Sequence, residues 1–327
     1  FATGIISELV IYRSALRDFP GLRFSFAKVT RASIRSVFSL GTSSLLQTLS
    51  AMLFTKAFGI AIAALLGIAI VPLYSIPSAL VTSLGPFISR IGATMTPIAS
   101  RMDAQGDRDK LRSLCLSVTR FGTAFGIPAA IGVVLFGRQF FALWLGHTDL
   151  TSSDLESIWQ CSVIMVWVLA LARPQMVSRS VLRATGRHWA AAWTMFLSAS
   201  VSVCVGIVLM QFTSLGVLAA ALGWSVHIAI SELISMPLLL CRHLEIPPRQ
   251  FVTDTIGTPL LAGVLQAAIG FGLVQLIPIG NWTAFVVVGG LFGVCSLAAA
   301  FAIVLSRDDR RYVLSLSQQL RTHRVSA

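Results

Sequence analysis

Charged residues are scarce in this sequence, and closely spaced cysteines are missing from it. Only 12% of the 327 residues are charged and 55% are hydrophobic, a balance outside the range of soluble globular domains. The five cysteines form no Cys-x-x-Cys pair, so neither a disulfide framework nor a zinc site is indicated. The sequence also lacks a P-loop, His-Glu-x-x-His and Gly-x-Ser-x-Gly. We therefore expect an integral membrane protein with no cofactor and no catalytic residues.

Eight segments are long and apolar enough to cross a bilayer, which takes about 20 mostly apolar residues. The second segment contains Pro72, Pro77, Pro86 and Pro97, and we predict a single tilted, kinked helix with an irregular start. The segment 1–12 is interpreted as the end of a ninth helix. The predicted fold class is an all-α, polytopic membrane helix bundle with spans at 37–54, 66–98, 121–145, 158–181, 190–212, 215–240, 257–277 and 283–305.

The basic residues predict how these spans are oriented. The chain has 25 Lys and Arg against 13 Asp and Glu, and most of the basic residues fall in predicted loops or at span ends on one side, including Arg179, Arg183 and Arg187. Cytoplasmic loops are enriched in Lys and Arg. We therefore expect the basic segment before the first full span and the C-terminus to be cytoplasmic, in the cytoplasmic membrane of a bacterial cell. Topology explains the charge, so a nucleic-acid partner is not expected.

Short motifs in several loops go beyond general hydrophobicity. Pro97-Ile98-Ala99-Ser100-Arg101 is followed by Gly106-Asp107 and Lys110-Leu111-Arg112, and a second loop contains Val181-Leu182-Arg183-Ala184-Thr185-Gly186-Arg187. In order and spacing these motifs resemble loops of polysaccharide exporters and O-antigen (lipid-linked oligosaccharide) flippases of the multidrug/oligosaccharidyl-lipid/polysaccharide superfamily. The resemblance extends over about 31–250. Its most specific residues are Pro97, Ser100, Arg101, Gly106, Asp107 and Gly186.

The resemblance implies a domain organisation. Residues 1–36 would be the end of a preceding helix and a basic linker, and 37–250 the six-helix C-terminal lobe of a two-lobe transporter. Residues 251–306 would add two transmembrane helices, and 307–327 a basic cytoplasmic tail. Because the chain begins at Phe1 and shows no signal peptide, we expect the N-terminal lobe to lie outside this sequence.

The resemblance also implies a function. A relative of these flippases would move a polyprenyl-pyrophosphate-linked oligosaccharide, a polysaccharide repeat unit, across the cytoplasmic membrane by alternating access. It would be a transporter and not an enzyme, with lipid-linked oligosaccharide and membrane lipids as partners and H⁺ or Na⁺ as candidate coupling ions. Two alternatives stay open: a cation-coupled multidrug exporter of the same superfamily, and an integral membrane enzyme of polysaccharide assembly.

Among the ionisable residues within or near the ends of the predicted spans, the candidates for substrate binding are Arg90, Arg173, Glu232 and Lys56. An ionisable group in the hydrocarbon region costs at least about 2.5 kcal/mol, so it usually faces a partner or a cavity. A guanidinium forms bidentate bonds with phosphate, which makes Arg90 the first candidate to bind a pyrophosphate and Arg173 the second. Two alternatives remain: Arg173 pairs with Glu232, and Lys56 ends the first span and extends its ammonium group to the interface.

Two uncharged residues are weaker candidates for substrate binding. Tyr74, near a proline, is predicted either to contact a sugar ring or to be an interfacial aromatic. Gln47 is predicted to line a hydrated cavity or to form a hydrogen bond between helices. His227, on an otherwise apolar helix, is interpreted as a core histidine rather than a proton relay.

Overall fold

The computed structural model of the chain describes residues 8, 11–14, 17, 29–93 and 95–304, with only the backbone at 32, 36 and 87–96. Within these residues the regular secondary structure is helical and no strand occurs. Eight helical segments of the described chain are long and apolar enough to cross a membrane. The predicted fold class, an all-α polytopic helix bundle, is confirmed, and the chain is a multi-pass membrane protein.

The α-helices from residue 31 onward are numbered in chain order. The first six are α1 (Arg31–Leu65), α2 (Val71–Ala93), α3 (Met95–Ala104), α4 (Arg108–Leu145), α5 (Ser152–Ala172) and α6 (Met176–Ala184). The others are α7 (His188–Phe212), α8 (Val217–Ile228), α9 (Met236–Leu244), α10 (Pro248–Val252), α11 (Thr258–Leu276) and α12 (Trp282–Ile303). Short 3₁₀ segments precede α2 (Ile68–Ile70) and α6 (Arg173–Gln175), and π segments precede α9 (Ala229–Ser235) and α11 (Thr253–Gly257).

The second predicted span is confirmed in its irregular start, because Gly67 has a φ of 100° and a 3₁₀ turn follows it. Helix α2 contains Pro77 and Pro86. Residue 94, between α2 and α3, lies outside the described residues, so the single helix predicted to reach residue 98 stays a prediction.

Other helices extend well beyond their predicted apolar segments. Helix α4 begins at Arg108 and not near residue 121, because the side chain of Asp107 caps it by accepting a hydrogen bond from the backbone N–H of Lys110. Gly106, with a φ of 70°, makes the turn from α3 into this cap. A capping box between Thr151 and Asp154 starts α5 in the same way.

The chain divides into two compact units, residues 1–44 and 45–327. In the first unit the described side-chain hydrogen bonds of α1 are local, as between the Thr42 hydroxyl and the Phe38 carbonyl. The second unit contains the core of the bundle. The predicted domain boundaries at 36, 250 and 306 stay predictions.

Small residues bring the helices of the second unit close together. A Cβ added at Gly223 on α8 would lie 2.7 Å from the Cα of Gly206 on α7, and one added at Gly126 on α4 would lie 2.7 Å from the Ala170 carbonyl oxygen on α5. Such contacts let helix backbones approach within a membrane. Together they hold α4, α5, α7 and α8 as a frame around the polar residues described next.

Candidate functional site

A cavity of about 260 Å³ lies between α1, α2, the 3₁₀ turn Arg173–Gln175 and α8. The hydroxyls of Thr55 and Thr82 line it and donate to carbonyls within their own helices, each at 2.8 Å, so their oxygens can still accept from a ligand. Trp224 supplies an aromatic wall and Arg173 a positive charge. Pro86, also in the lining, has no N–H to donate to the Thr82 carbonyl.

Arg173 has weak hydrogen-bond partners for a guanidinium inside a membrane protein. Its Nη1 donates to the Met176 Sδ at 3.5 Å, and its Nε is buried with no partner among the described residues. A thioether is a weak acceptor. The group lies over Gly85, where an added Cβ would be 3.7 Å from Nε. Arg173 is therefore a cation beside a cavity, and no carboxylate in the described part of the chain pairs with it.

Glu232 lies on the π segment Ala229–Ser235 and forms an ion pair with Arg179, with 3.0 Å between Oε1 and Nη2. The two side chains are only 7% and 14% exposed. The predicted pair between Arg173 and Glu232 is therefore wrong. Arg179 was counted among the basic residues at the cytoplasmic end of the fourth predicted span, but its side chain is buried and pairs with Glu232. Its place within the predicted span 158–181 was the signal that could have identified it as an intramembrane charge.

His227 is buried on α8, just before the π segment that carries Glu232. The turn Arg173–Gln175 packs against that π segment. Nδ1 of His227 is 2.9 Å from the Ser198 hydroxyl, and its ring lies 4.2 Å from that of Phe54. These contacts are those of a core histidine. Arg173, Arg179, Glu232 and His227 thus form one polar cluster inside the bundle, which we call the arginine cluster.

The other candidates lie outside this cluster. Lys56 is exposed on α1 well before the helix ends at Leu65. The prediction that it ends the first span is wrong, because the apolar residues 57–65 continue the helix and the span. The Gln47 amide oxygen accepts from Nη2 of Arg183 at 2.9 Å, a bond between two helices. Tyr74 is only 4% exposed and packs near Phe58, with ring centroids 6.0 Å apart. The structure thus places Tyr74 in the core, neither at an exposed interfacial position nor among the cavity-lining residues.

The backbone of Arg90 belongs to α2, but its side chain lies outside the described residues. Its role as first candidate for pyrophosphate stays a prediction. Arg173, the second candidate, is the one that the structure places at a cavity.

The motif residues shape the ends of helices. Gly106 and Gly186 have φ values of 70° and 78°, which glycine adopts without strain, and each makes a turn between two helices. Pro97, Ser100 and Arg101 are exposed on α3, and Asp107 caps α4. These positions lie on α3 and at the turns that follow α3 and α6, and none of them belongs to the arginine cluster.

Residues 6–154 match the family described as polysaccharide biosynthesis protein. This match confirms the resemblance to polysaccharide exporters over a stretch that includes Pro97 to Asp107. The motif from Val181 to Arg187 lies outside the matched residues. No curated protein and no solved structure matches the chain. With its eight apolar helical segments, the chain is a multi-pass membrane protein, and its residues 6–154 are similar to a family of polysaccharide biosynthesis proteins.

Proposed function

We propose that this protein transports a polyprenyl-pyrophosphate-linked oligosaccharide from one leaflet of the cytoplasmic membrane to the other by alternating access. The observation that carries the proposal is Arg173, a guanidinium beside a cavity with only a thioether as hydrogen-bond acceptor. An ionisable residue inside a membrane is commonly part of a substrate path. A guanidinium keeps its charge and presents planar, paired donors, which suit a phosphate group.

The cavity supports a role for the diphosphate part of the substrate. At about 260 Å³ it suits a small polar group rather than a whole oligosaccharide. The Trp224 ring stacks near that of Phe54, with centroids 5.3 Å apart, and gives the site an apolar wall next to the arginine. We therefore assign the diphosphate to Arg173 and leave the sugar chain and the lipid outside this cavity.

Transport leaves the substrate chemically unchanged, so we propose that the protein is not an enzyme. The basic loops support a topology with a cytoplasmic C-terminus. A cation-coupled drug exporter is the less favoured alternative, because Glu232, the acidic residue that is buried in the described spans, already pairs with Arg179.

Binding of farnesyl diphosphate to the purified chain in detergent tests the assignment of Arg173. Arg173→Lys keeps the charge but loses the paired donors, and Arg173→Gln loses both. We expect weaker binding with lysine and a loss of about 10- to 100-fold with glutamine, since a charged hydrogen bond contributes about 1.5–3 kcal/mol. Flipping of a lipid-linked oligosaccharide in proteoliposomes should fall in the same order.

Arg138→Gln is the matched control for this experiment. Arg138 is also a membrane-span arginine, but it is 60% exposed, pairs with Glu156 at 2.7 Å and lies over the Trp159 ring. It should bind farnesyl diphosphate like the unchanged protein. If Arg173→Gln binds and transports normally while Arg138→Gln does too, the diphosphate does not bind at Arg173.

A further inference from the structure

The indole N–H of Trp224 is a hydrogen-bond donor without an acceptor in the described part of the chain. Trp159 shows the usual arrangement, because its indole N–H donates to the Val133 carbonyl at 3.0 Å. Trp224 is only 5% exposed, yet its nitrogen does not belong to the fully buried polar atoms that lack a partner, so it keeps some accessible surface. Since a buried tryptophan usually pairs this N–H, the donor at Trp224 is available to a ligand.

The open space beside Trp224 is the cavity that also contains Arg173. Both residues line this cavity, but Trp224 lies on α8 and Arg173 in the 3₁₀ turn Arg173–Gln175. Helix α5 ends directly before this turn and packs against α8, which brings the two side chains to one cavity. They are the described lining residues whose side chains carry N–H groups.

The two threonines of the cavity do not duplicate these donors. The hydroxyls of Thr55 and Thr82 donate to carbonyls of their own helices, each at 2.8 Å, so their oxygens are left as acceptors. An anionic ligand needs donors. The N–H groups of Arg173 and Trp224 are therefore the part of the lining that suits an anion.

The ring of Trp224 is held in place by its neighbours. It stacks on Phe54 with 5.3 Å between the centroids and 29° between the planes, and Phe54 also lies against His227. The preceding residue, Gly223, lies so close to α7 that an added Cβ would be 2.7 Å from the Cα of Gly206. A donor fixed before the ligand arrives loses little conformational freedom on binding.

Resting on the proposed function, we propose that the Trp224 indole N–H binds one phosphoryl group of the substrate diphosphate while Arg173 binds the other, so that the two residues together select a diphosphate over a monophosphate. A guanidinium takes one phosphoryl group with two parallel N–H bonds. The indole N–H is a neutral donor, and a hydrogen bond to a charged acceptor is stronger than one between neutral groups. A monophosphate has one phosphoryl group and leaves one of these two donors unused.

The test compares the binding of farnesyl diphosphate and farnesyl monophosphate to the purified full chain by titration calorimetry. Trp224→Phe keeps an aromatic ring against Phe54 and removes the N–H. We expect this variant to bind the diphosphate about tenfold or more weakly, because it loses a hydrogen bond to a charged acceptor. Its affinity for the monophosphate should change by less than about threefold. The ratio of the two affinities removes the effect of the different ligand charges, since both proteins meet the same two ligands.

Trp159→Phe is the matched control, because it makes the same change at a tryptophan whose N–H donates to a backbone carbonyl. It should lower the unfolding temperature and keep the preference for the diphosphate. An equal loss for both ligands in Trp224→Phe, or no loss for either, would overturn the proposal. If Trp224→Phe does not accumulate, 3-benzothienylalanine at position 224 keeps the size of the ring system with sulfur in place of the N–H, and it should lose the same preference.

Arg173→Gln separates this proposal from the proposed function, since it should weaken the binding of both ligands. If it does so while Trp224→Phe keeps the full preference for the diphosphate, the diphosphate site stands and Trp224 is only its apolar wall. If Arg173→Gln binds both ligands like the unchanged protein, the diphosphate site fails and the role of the indole N–H fails with it.

Discussion

Two groups of arginines in this protein differ in how many carboxylates lie close to them. At the start of α4, Arg112 donates to Asp109 at 3.1 Å, to Glu245 at 3.2 Å and to the Leu244 carbonyl, and Arg108 lies 3.8 Å from Glu245. In the arginine cluster, two guanidiniums have one carboxylate between them, and each directs an N–H at a methionine sulfur. We call the first group the rim cluster.

The difference separates a structural use of arginine from a functional one. The carboxylates of the rim cluster are largely exposed. Exposed ion pairs contribute about 0–1 kcal/mol to stability, so additional carboxylates near these arginines change the stability of the fold little. Inside the bundle an unpaired cation costs at least about 2.5 kcal/mol. Among the described residues the core has no second carboxylate that would relieve this cost, and in the proposed function a substrate anion takes its place.

The largest expected effect comes from removing the buried carboxylate. Glu232→Ala leaves Arg179 buried without a counter-ion, and breaking one side of a buried pair costs about 3–5 kcal/mol. Glu156→Ala breaks an exposed pair, 2.7 Å between its charged atoms, and should cost less than about 1 kcal/mol. Thermal unfolding of both variants in the same detergent measures the difference.

A double variant checks the cause of this loss. Arg179→Met with Glu232→Ala removes both charges, so it should recover part of the stability lost in Glu232→Ala alone. Equal unfolding temperatures for Glu232→Ala and Glu156→Ala would mean that water reaches Glu232, and the contrast between the two arginine groups would disappear.

The number and type of spans could be predicted from the sequence because hydropathy and length determine them. The ends of the helices could not be predicted from the sequence. Helix α4 extends through the charged segment from Arg108, where the Asp107 cap and rim ion pairs stabilise a helix that has left the apolar region. Hydropathy identifies the part of such a helix that faces lipid, but it does not show how far the helix continues into water.

Which residues of the site pair with each other could not be predicted from the sequence either. Glu232 was identified as an intramembrane charge, but its pairing depends on which way two distant segments face. The 3₁₀ turn at Arg173 and the π segment at Glu232 each change the rotation of the helix that follows. The direction in which Arg173 and Arg179 point could therefore not be predicted from a regular helical period. Tyr74 was misjudged because lipid-facing and core aromatics have the same sequence pattern.

A smaller effect is expected in the rim cluster. Arg112→Gln loses two carboxylate contacts and leaves the Leu244 carbonyl with a weaker donor. Because the carboxylates are exposed, we expect a loss of about 1 kcal/mol in the free energy of unfolding and unchanged farnesyl diphosphate binding. Unfolding and binding measured on the same preparation check both. Weakened binding in Arg112→Gln with an intact fold would show that the rim cluster also serves the substrate.

The smallest effect is expected at Asp107, and its pH dependence sharpens the comparison. The hydrogen bond from the Lys110 ammonium, with a further bond from the Lys110 backbone N–H, holds the pKa of Asp107 below its ordinary value. A carboxyl whose pKa is lower in the folded state stabilises the fold above its unfolded pKa, and this stabilisation is lost as the pH falls through the folded pKa. Asp107→Asn keeps a side chain that can cap α4 but loses the ion pair with Lys110, so it should be slightly less stable than the unchanged protein from pH 6 to pH 8. The difference should stay constant across that range and vanish only in strong acid. Unfolding temperatures measured from pH 8 down to pH 3 test this, and a difference that already shrinks between pH 8 and pH 6 would show that a group other than Asp107 controls the start of α4.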